Sequence, residues 1–151
     1  MCCFYRSGCR SSYKDMVYKE KRCFRNIMTS LTDFRKVSNI GNLKWELLEE
    51  ESMGQVGNTW WHNLSYDDQT GEGSYLYKMD PGTKSKAHLH TGPEEFFLLE
   101  GDLIDSDGYH YKKGDFVHLG SGSCHYSSTT LGCTVVVTHR GKFVFTQKGL
   151  G

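Results

Sequence analysis

From residue 44 onward, apolar and polar positions alternate in short runs separated by turn residues, the period of two that suits half-buried strands. Residues 44–48 (KWELL), 58–66 (NTWWHNLSY) and 74–79 (SYLYKM) read as the first three strands, with 67–73 (DDQTGEG) as a loop. The third places Tyr75, Tyr77 and Met79 on one face. Asp80, Pro81 and Gly82 form a tight turn, Pro presetting φ and Gly free to take positive φ. A strand carrying His88 and His90 is expected to follow it directly. After a turn at 91–93, EEFFLLE puts Glu94, Phe96 and Leu98 on one face and Glu95, Phe97 and Leu99 on the other. Both faces are apolar beyond the acids, which suits a strand with a barrel interior on one side and another sheet or subunit on the other. Gly101 is expected to turn the chain into 102–105, and the 105–108 turn (DSDG) reverses it into 109–113. Gly114 then starts 115–119, and a last hairpin pairs 133–139 with 142–145 about Arg140 and Gly141. About nine strands, with turns every roughly 8 to 12 residues and no good amphipathic helix, predict an all-β sandwich or barrel.

Composition changes this picture at one end. Residues 1–27 show neither period and hold seven Lys or Arg against two acids, a net of +5. Residues 28–151 hold eleven against sixteen, a net of −5, within an overall charge of zero. The basic segment reads as an appendage: an organelle-targeting peptide, a disordered arm, or sequence upstream of a functional start at Met28. Residues 28–43 then form a linker and 44–151 the folded domain. Cys2, Cys3, Cys9 and Cys23 lie in the appendage and only Cys124 and Cys133 in the body. A disulfide framework would be spread through the part it staples, and no secretory signal core precedes it, so a reducing, cytoplasmic setting is expected. The N-terminal cysteines also lack zinc-ligand spacing. No apolar run approaches the roughly 20 residues that span a bilayer. The mildly acidic body offers no surface for tracking phosphates, so neither membrane nor nucleic acid is an expected partner.

The chemistry gathers at His88, His90 and Glu94, bracketed by Gly82 and Gly101. Strand side chains two apart point the same way, so two imidazoles share one face. A carboxylate four residues later can complete one side of a metal ion. His125, in a second glycine-punctuated stretch at 114–125, is the expected fourth ligand. Glu95 is the alternative to Glu94, and the six-residue spacing to Gly101 favours Glu94. Imidazoles with one carboxylate suit a divalent ion: Fe(II), Mn(II), Ni(II) or Zn(II). An octahedral ion would keep two positions open for a chelating substrate or O2, whereas tetrahedral zinc would be filled by four protein ligands. His62, His110, His118 and His139 read as surface or hydrogen-bonded core residues, and Cys124 as a small apolar one. Trp60, Trp61, Tyr75, Tyr77, Phe96, Phe116 and Tyr126 are candidates to line an aromatic substrate pocket.

These motifs resemble the cupin superfamily, small barrels of jelly-roll type. Gly82, His88, His90, Glu94 and Gly101 match its first signature at every spacing. Gly114, Gly122 and His125 match the second, in which Gly120 stands for the usual Pro and Thr129 for the usual Asn. More narrowly, HTGPEEFFLLEGDLIDSDGYHYKKGDF, then GSGSCH and LGC, looks like the ChrR-type cupins, over about residues 44–146. That group includes the metal-binding domain of certain anti-sigma factors and is similar to dioxygenases acting on acetylacetone or dihydroxyacetophenone. The resemblance implies one divalent metal per chain, Fe(II) favoured, and an enzyme that cleaves a carbon–carbon bond of a small diketone or hydroxyketone with O2. The alternative it implies is a non-catalytic zinc- or ligand-binding sensor or scaffold. It also implies a homodimer, with which outward-facing Phe97 and Leu99 are compatible.

Overall fold

The computed structural model describes residues 31–48 and 54–145. The basic segment at 1–27, with its four cysteines, lies outside the described residues. The chain divides into two compact units, Met1–Val37 and Ser38–Gly151. In the first, the described residues carry one exposed 3-10 turn, Leu31–Asp33. The second opens with the 3-10 turn Ile40–Asn42, whose Gly41 N–H donates to the Asn39 side chain at 2.9 Å. Among the described residues no helix is long and apolar enough to cross a membrane.

The second unit is built of antiparallel strands: β1 (Glu46–Leu47), β2 (Thr59–Asn63), β3 (Glu72–Met79), β4 (His88–His90), β5 (Glu94–Asp105) and β6 (His110–Lys112). They continue as β7 (Phe116–Leu119), β8 (Cys124–His125), β9 (Ser127–Ser128), β10 (Cys133–Arg140) and β11 (Phe143–Phe145). The larger sheet runs β1-β2-β3-β10-β5-β6, with β7 and β9 also paired to β5, and the smaller runs β11-β4-β8. Alternation along β3, β5 and β10 sorts the side chains by face. Met79, Phe96, Leu98, Leu103, Cys133, Val135 and Val137 turn inward and, with Tyr111, form the core. Burial pushes the Cys133 thiol up to about 12, which leaves it a packing residue. On the opposite face Glu95 pairs with Arg140 at 2.7 Å, and exposed Phe97 stands opposite exposed Phe116 across β5 and β7.

Several sequence expectations change in detail. The 67–73 loop is shorter, because Asp67 caps it, accepting the Gln69 N–H at 2.8 Å and bridging to Glu72, so β3 starts at Glu72. The histidine strand does not follow the Pro81 turn directly. Residues 83–87 intervene, where buried Thr83 donates to the Asn58 carbonyl at 3.2 Å and Lys84 bridges to Val56 and Ser128 as the chain crosses between sheets. Gly101 is not a turn but lies within the twelve-residue β5, in register with Cys133 and two residues from the irregularity at Leu99 in the pairing with β10. It takes a φ of 81°, and a Cβ there would collide with the Gly132 carbonyl oxygen, so this strand position requires glycine. The last hairpin does not form: β11 pairs with β4 instead of β10. The Lys142 N–H and carbonyl both bond Thr91, at 2.8 Å each, and carry the chain onto the smaller sheet. Thr129, in the usual Asn position, donates its hydroxyl to the Asp102 carbonyl at 2.7 Å and helps tie the loop before β10 to β5.

Candidate metal centre

The two sheets face each other at five side chains. His88 and His90 project from β4 with rings stacked 4.7 Å apart, and His125 on β8 lies 4.8 and 5.0 Å from them, because His88 and His125 are direct partners in register. From the larger sheet come Glu94, at the start of β5, and His139, its register partner on β10. Potential ligand atoms of His88, His90 and His125 lie within 4.8 Å of one another, as do those of His90, Glu94 and His139. The turn between His90 and Glu94 is held close by Gly92, where a Cβ would run into the Arg140 carbonyl. Parity separates the two candidate acids: Glu94 is buried inward, whereas Glu95 faces outward toward Arg140 and His118.

Hydrogen bonds orient these rings. The Lys86 carbonyl lies 2.9 Å from His88 Nδ1, so that nitrogen is the donor and Nε2 keeps its lone pair. Asp105 Oδ1 lies 2.9 Å from His125 Nδ1 and fixes the same tautomer there. Asp105 is itself held by the Tyr111 hydroxyl at 3.1 Å and the Ser106 N–H at 2.8 Å. His125 Nε2 and both ring nitrogens of His90 are buried without a hydrogen-bond partner. Glu94 Oε2 lies 3.8 Å from His90 Nε2, and Oε1 lies 3.9 Å from His125 Nε2. Leaving a buried polar atom unsatisfied costs about 1–3 kcal/mol. Orphaned imidazole nitrogens converging beside a carboxylate are the arrangement that a divalent cation would compensate, and no thiolate is among the donors.

Burial lowers His88 and brings His90 down to about 4, so both rings offer lone pairs near neutral pH. In His125 burial acts the same way, but the Asp105 hydrogen bond outweighs it and the net shift is upward. Glu94 is buried, which by itself raises a carboxyl, yet the His139 hydrogen bond and the surrounding histidines hold it below its ordinary value, so it stays ionised. Replacing Asp105 with Asn should therefore weaken divalent-metal affinity about 10–100-fold. Isothermal titration with zinc checks this, and unchanged affinity would show that His125 needs no carboxylate behind it.

A cavity of about 270 Å³ opens beside the cluster, with His88 and His139 in its wall and Trp61, Tyr66, Tyr75, Phe143 and Phe145 around it. Trp61 and Tyr75 lie 5.1 Å apart, and Tyr66 meets both edge-on at 5.7 and 5.5 Å. Of the aromatic residues singled out from sequence, Tyr75, Tyr77 and Trp61 line this cavity. Phe96 is buried in the core, Phe116 is exposed on β7, and Tyr126 lies beneath the Lys84 ammonium at 3.8 Å. Trp60 donates its indole N–H to Asp80 at 3.1 Å.

His139 was not among the candidate ligands. It is 2% exposed, its Nε2 lies 2.8 Å from Glu94 Oε2 and 3.0 Å from the Tyr75 hydroxyl, and its ring stacks on Tyr75. Its parity with inward-facing Val135 and Val137 was the available signal. Asp105 shares its parity with inward Leu103 on β5, whereas Phe143 and Phe145 had no such signal, since pairing with β4 brings them to the site. His62, bonded to the Lys44 carbonyl, His118, beside Glu95, and exposed His110 stand apart from the cluster.

The profile of the ChrR cupin-like domain matches residues 35–143. No curated protein matches by sequence. Among solved structures, the acetylacetone dioxygenase of Acinetobacter johnsonii is similar, with 18% identity and a TM-score of 0.60 over 78% of this chain and 87% of that one. A candidate acetylacetone dioxygenase from Methylibium petroleiphilum PM1 gives 16% identity and a TM-score of 0.66, covering 75% and 81%. The Rhodobacter sphaeroides complex of SigE with the anti-sigma ChrR gives 16% and 0.52, covering 67% of this chain and 50% of that one. At these identities the likeness is one of fold, a cupin fold, and both an enzyme and an anti-sigma protein are among its bearers.

Proposed function

The chain belongs to the ChrR cupin-like domain family, and on that premise we propose a metal(II)-dependent dioxygenase-like enzyme acting on a small diketone or hydroxyketone that chelates through two oxygens. One observation carries the reading: unsatisfied imidazole nitrogens of His90 and His125 converge beside the buried Glu94 carboxylate, next to an aromatic cavity that His88 and His139 line. His88, His90, Glu94 and His125 would hold the ion, Fe(II) ahead of Zn(II), Mn(II) or Ni(II). When bound, such an ion supplies Lewis-acid polarisation of chelated oxygens and, as iron, electrons for reaction with O2. The protein's own groups do the rest. Trp61, Tyr66 and Tyr75 shield the site from water and offer ring faces to a flat substrate. Burial and the nearby Glu94 raise the Tyr75 hydroxyl well above its ordinary value, so it stays protonated beside His139. His139 in turn holds Glu94 Oε2, and with it the carboxylate's aim between His90 and His125.

Anaerobic loading with Fe(II), followed by oxygen-electrode assays on β-diketones and hydroxyacetophenones, tests the proposal. Oxygen uptake well above that of His125→Ala is the expected result, and uptake no greater than that variant's would sink it. A zinc-binding sensor is the second reading, because Glu94 stands 3.8 and 3.9 Å from two imidazole nitrogens and can close a four-ligand shell. Stoichiometric zinc with four protein ligands, combined with no oxygen uptake by the iron-loaded protein, would decide for it.

A further inference from the structure

Two cavities reach the histidine cluster from different sides. The aromatic one touches His88 and His139, and a second chamber, of about 70 Å³, touches Glu94 and His125. Tyr75, Tyr77 and Ser85 line both and so form the partition between them. Beyond that partition the chamber is walled by Met79, Phe96, Leu103, Val135 and Val137, each 5% exposed or less.

Strand register explains why space remains there. Val135 and Val137 stand opposite Tyr77 and Tyr75 on β3, and Val137 stands opposite Phe96 on β5. Short branched side chains thus sit among long aromatic ones, and the Phe96 ring is drawn aside against Tyr111, 5.2 Å away and edge-on. The chamber is several times the roughly 10–15 Å³ that admits one water and about half of the 150 Å³ that admits benzene. It can take a guest of a few heavy atoms and excludes a ring. Water would also need two to four polar partners. The five far-wall side chains carry no N–H or O–H, so partners for water, the unpartnered His125 Nε2 with Glu94, Ser85 and Ser127, lie only at the near end.

We infer that this chamber is a binding site for dioxygen, distinct from the aromatic cavity that takes the organic substrate. The inference rests on the oxygenase reading. A small apolar molecule is the guest that the far wall favours over water, and the chamber opens to the side of the cluster where Glu94 and His125 lie. Two chambers of unequal size, meeting at one set of ligands, match a reaction with two unlike co-substrates.

Methyl-labelled protein, metal-free or loaded with zinc, can be equilibrated under oxygen pressure and its methyl relaxation measured. Dissolved O2 is paramagnetic, so the methyls of Val135, Val137, Leu103 and Met79 should relax several-fold faster than that of Leu98. Leu98 is 0% exposed in the same core and does not line the chamber. Equal enhancement at Leu98 and at the chamber methyls overturns the inference, as does ordered water filling the chamber. Val137→Phe should abolish the enhancement and, in the iron-loaded enzyme, raise KM for O2 about tenfold or more while KM for the organic substrate holds. Val137→Ile serves where the larger ring overpacks the fold, with the same direction and a smaller effect. Localised enhancement without oxygen turnover would keep a gas site and remove the oxygenase. Turnover with uniform enhancement would keep the oxygenase and remove the chamber as its oxygen site.

Discussion

Replacing His90 with Leu should abolish divalent-metal binding and yet leave the metal-free protein at least as stable at pH 7, by up to about 1–3 kcal/mol. The sign follows from what His90 does without a metal. It is 1% exposed, neither ring nitrogen has a hydrogen-bond partner, and an apolar side chain of similar size would carry no such penalty. The parent recovers the cost only by binding: a ligand at 100 times its Kd adds about 2.7 kcal/mol to the folded state. Metal should therefore raise the parent's Tm and leave the variant's unmoved.

Proton linkage gives a second readout of the same change. The folded-state value of His90 is lowered to about 4 from an ordinary 6.5, so between those values the unfolded chain binds more protons than the folded one. Metal-free parent should lose stability as pH falls from about 6.5 through about 4, and the variant should lose that part of the slope. Thermal unfolding at pH 7 and pH 5, with and without zinc, checks both. A metal-dependent Tm shift that survives in the variant would place the ion elsewhere. A large loss of stability at pH 7 would make His90 a structural residue.

Leu98→Ala should cost about 2–5 kcal/mol, a large part of the roughly 5–15 kcal/mol that holds a domain folded. Leu98 is 0% exposed at the centre of the core, among Phe96, Val135 and the other inward residues of β5 and β10. Its chain neighbour provides the control. Phe97 points to the opposite face, is 39% exposed and stands opposite exposed Phe116, so Phe97→Ala should cost much less despite removing more atoms. Urea unfolding should show a lowered midpoint for Leu98→Ala with an unchanged slope. Equal losses at the two positions would mean that the outer face of β5 is covered as well as the inner one.

Both faces of β5 are also where reading the sequence worked best. Alternation from Glu94 to Leu99 placed Glu94 with Phe96 and Leu98 and set Glu95 against them, and the buried Glu94 and the Glu95–Arg140 pair follow that parity. The same rule extended along β10 from Val135 and Val137 reaches His139. Treating that residue by itself, as one more surface or core histidine, left it outside the cluster. Gly101 and the last hairpin show the other kind of miss. A glycine of positive φ serves a turn or a strand pressed close against another backbone equally well, and local sequence does not say which backbone lies opposite. The strand at 143–145 is as compatible with β10 as with β4 until the Thr91–Lys142 bonds choose.

By itself the sequence determined the all-β class, the shared faces of Tyr75, Tyr77 and Met79 on β3 and of Glu94, Phe96 and Leu98 on β5, and the pairing of His88 with His90. Each follows from side-chain direction within one strand, which depends on parity and on no partner. Tertiary structure alone decided that Asp105 stands behind His125, twenty residues away, that His139 holds Glu94, and that two chambers of unequal size meet at the cluster. Those relations depend on register between strands and on the crossing from one sheet to the other. Many remote residues share in setting them, and no short window of sequence contains them.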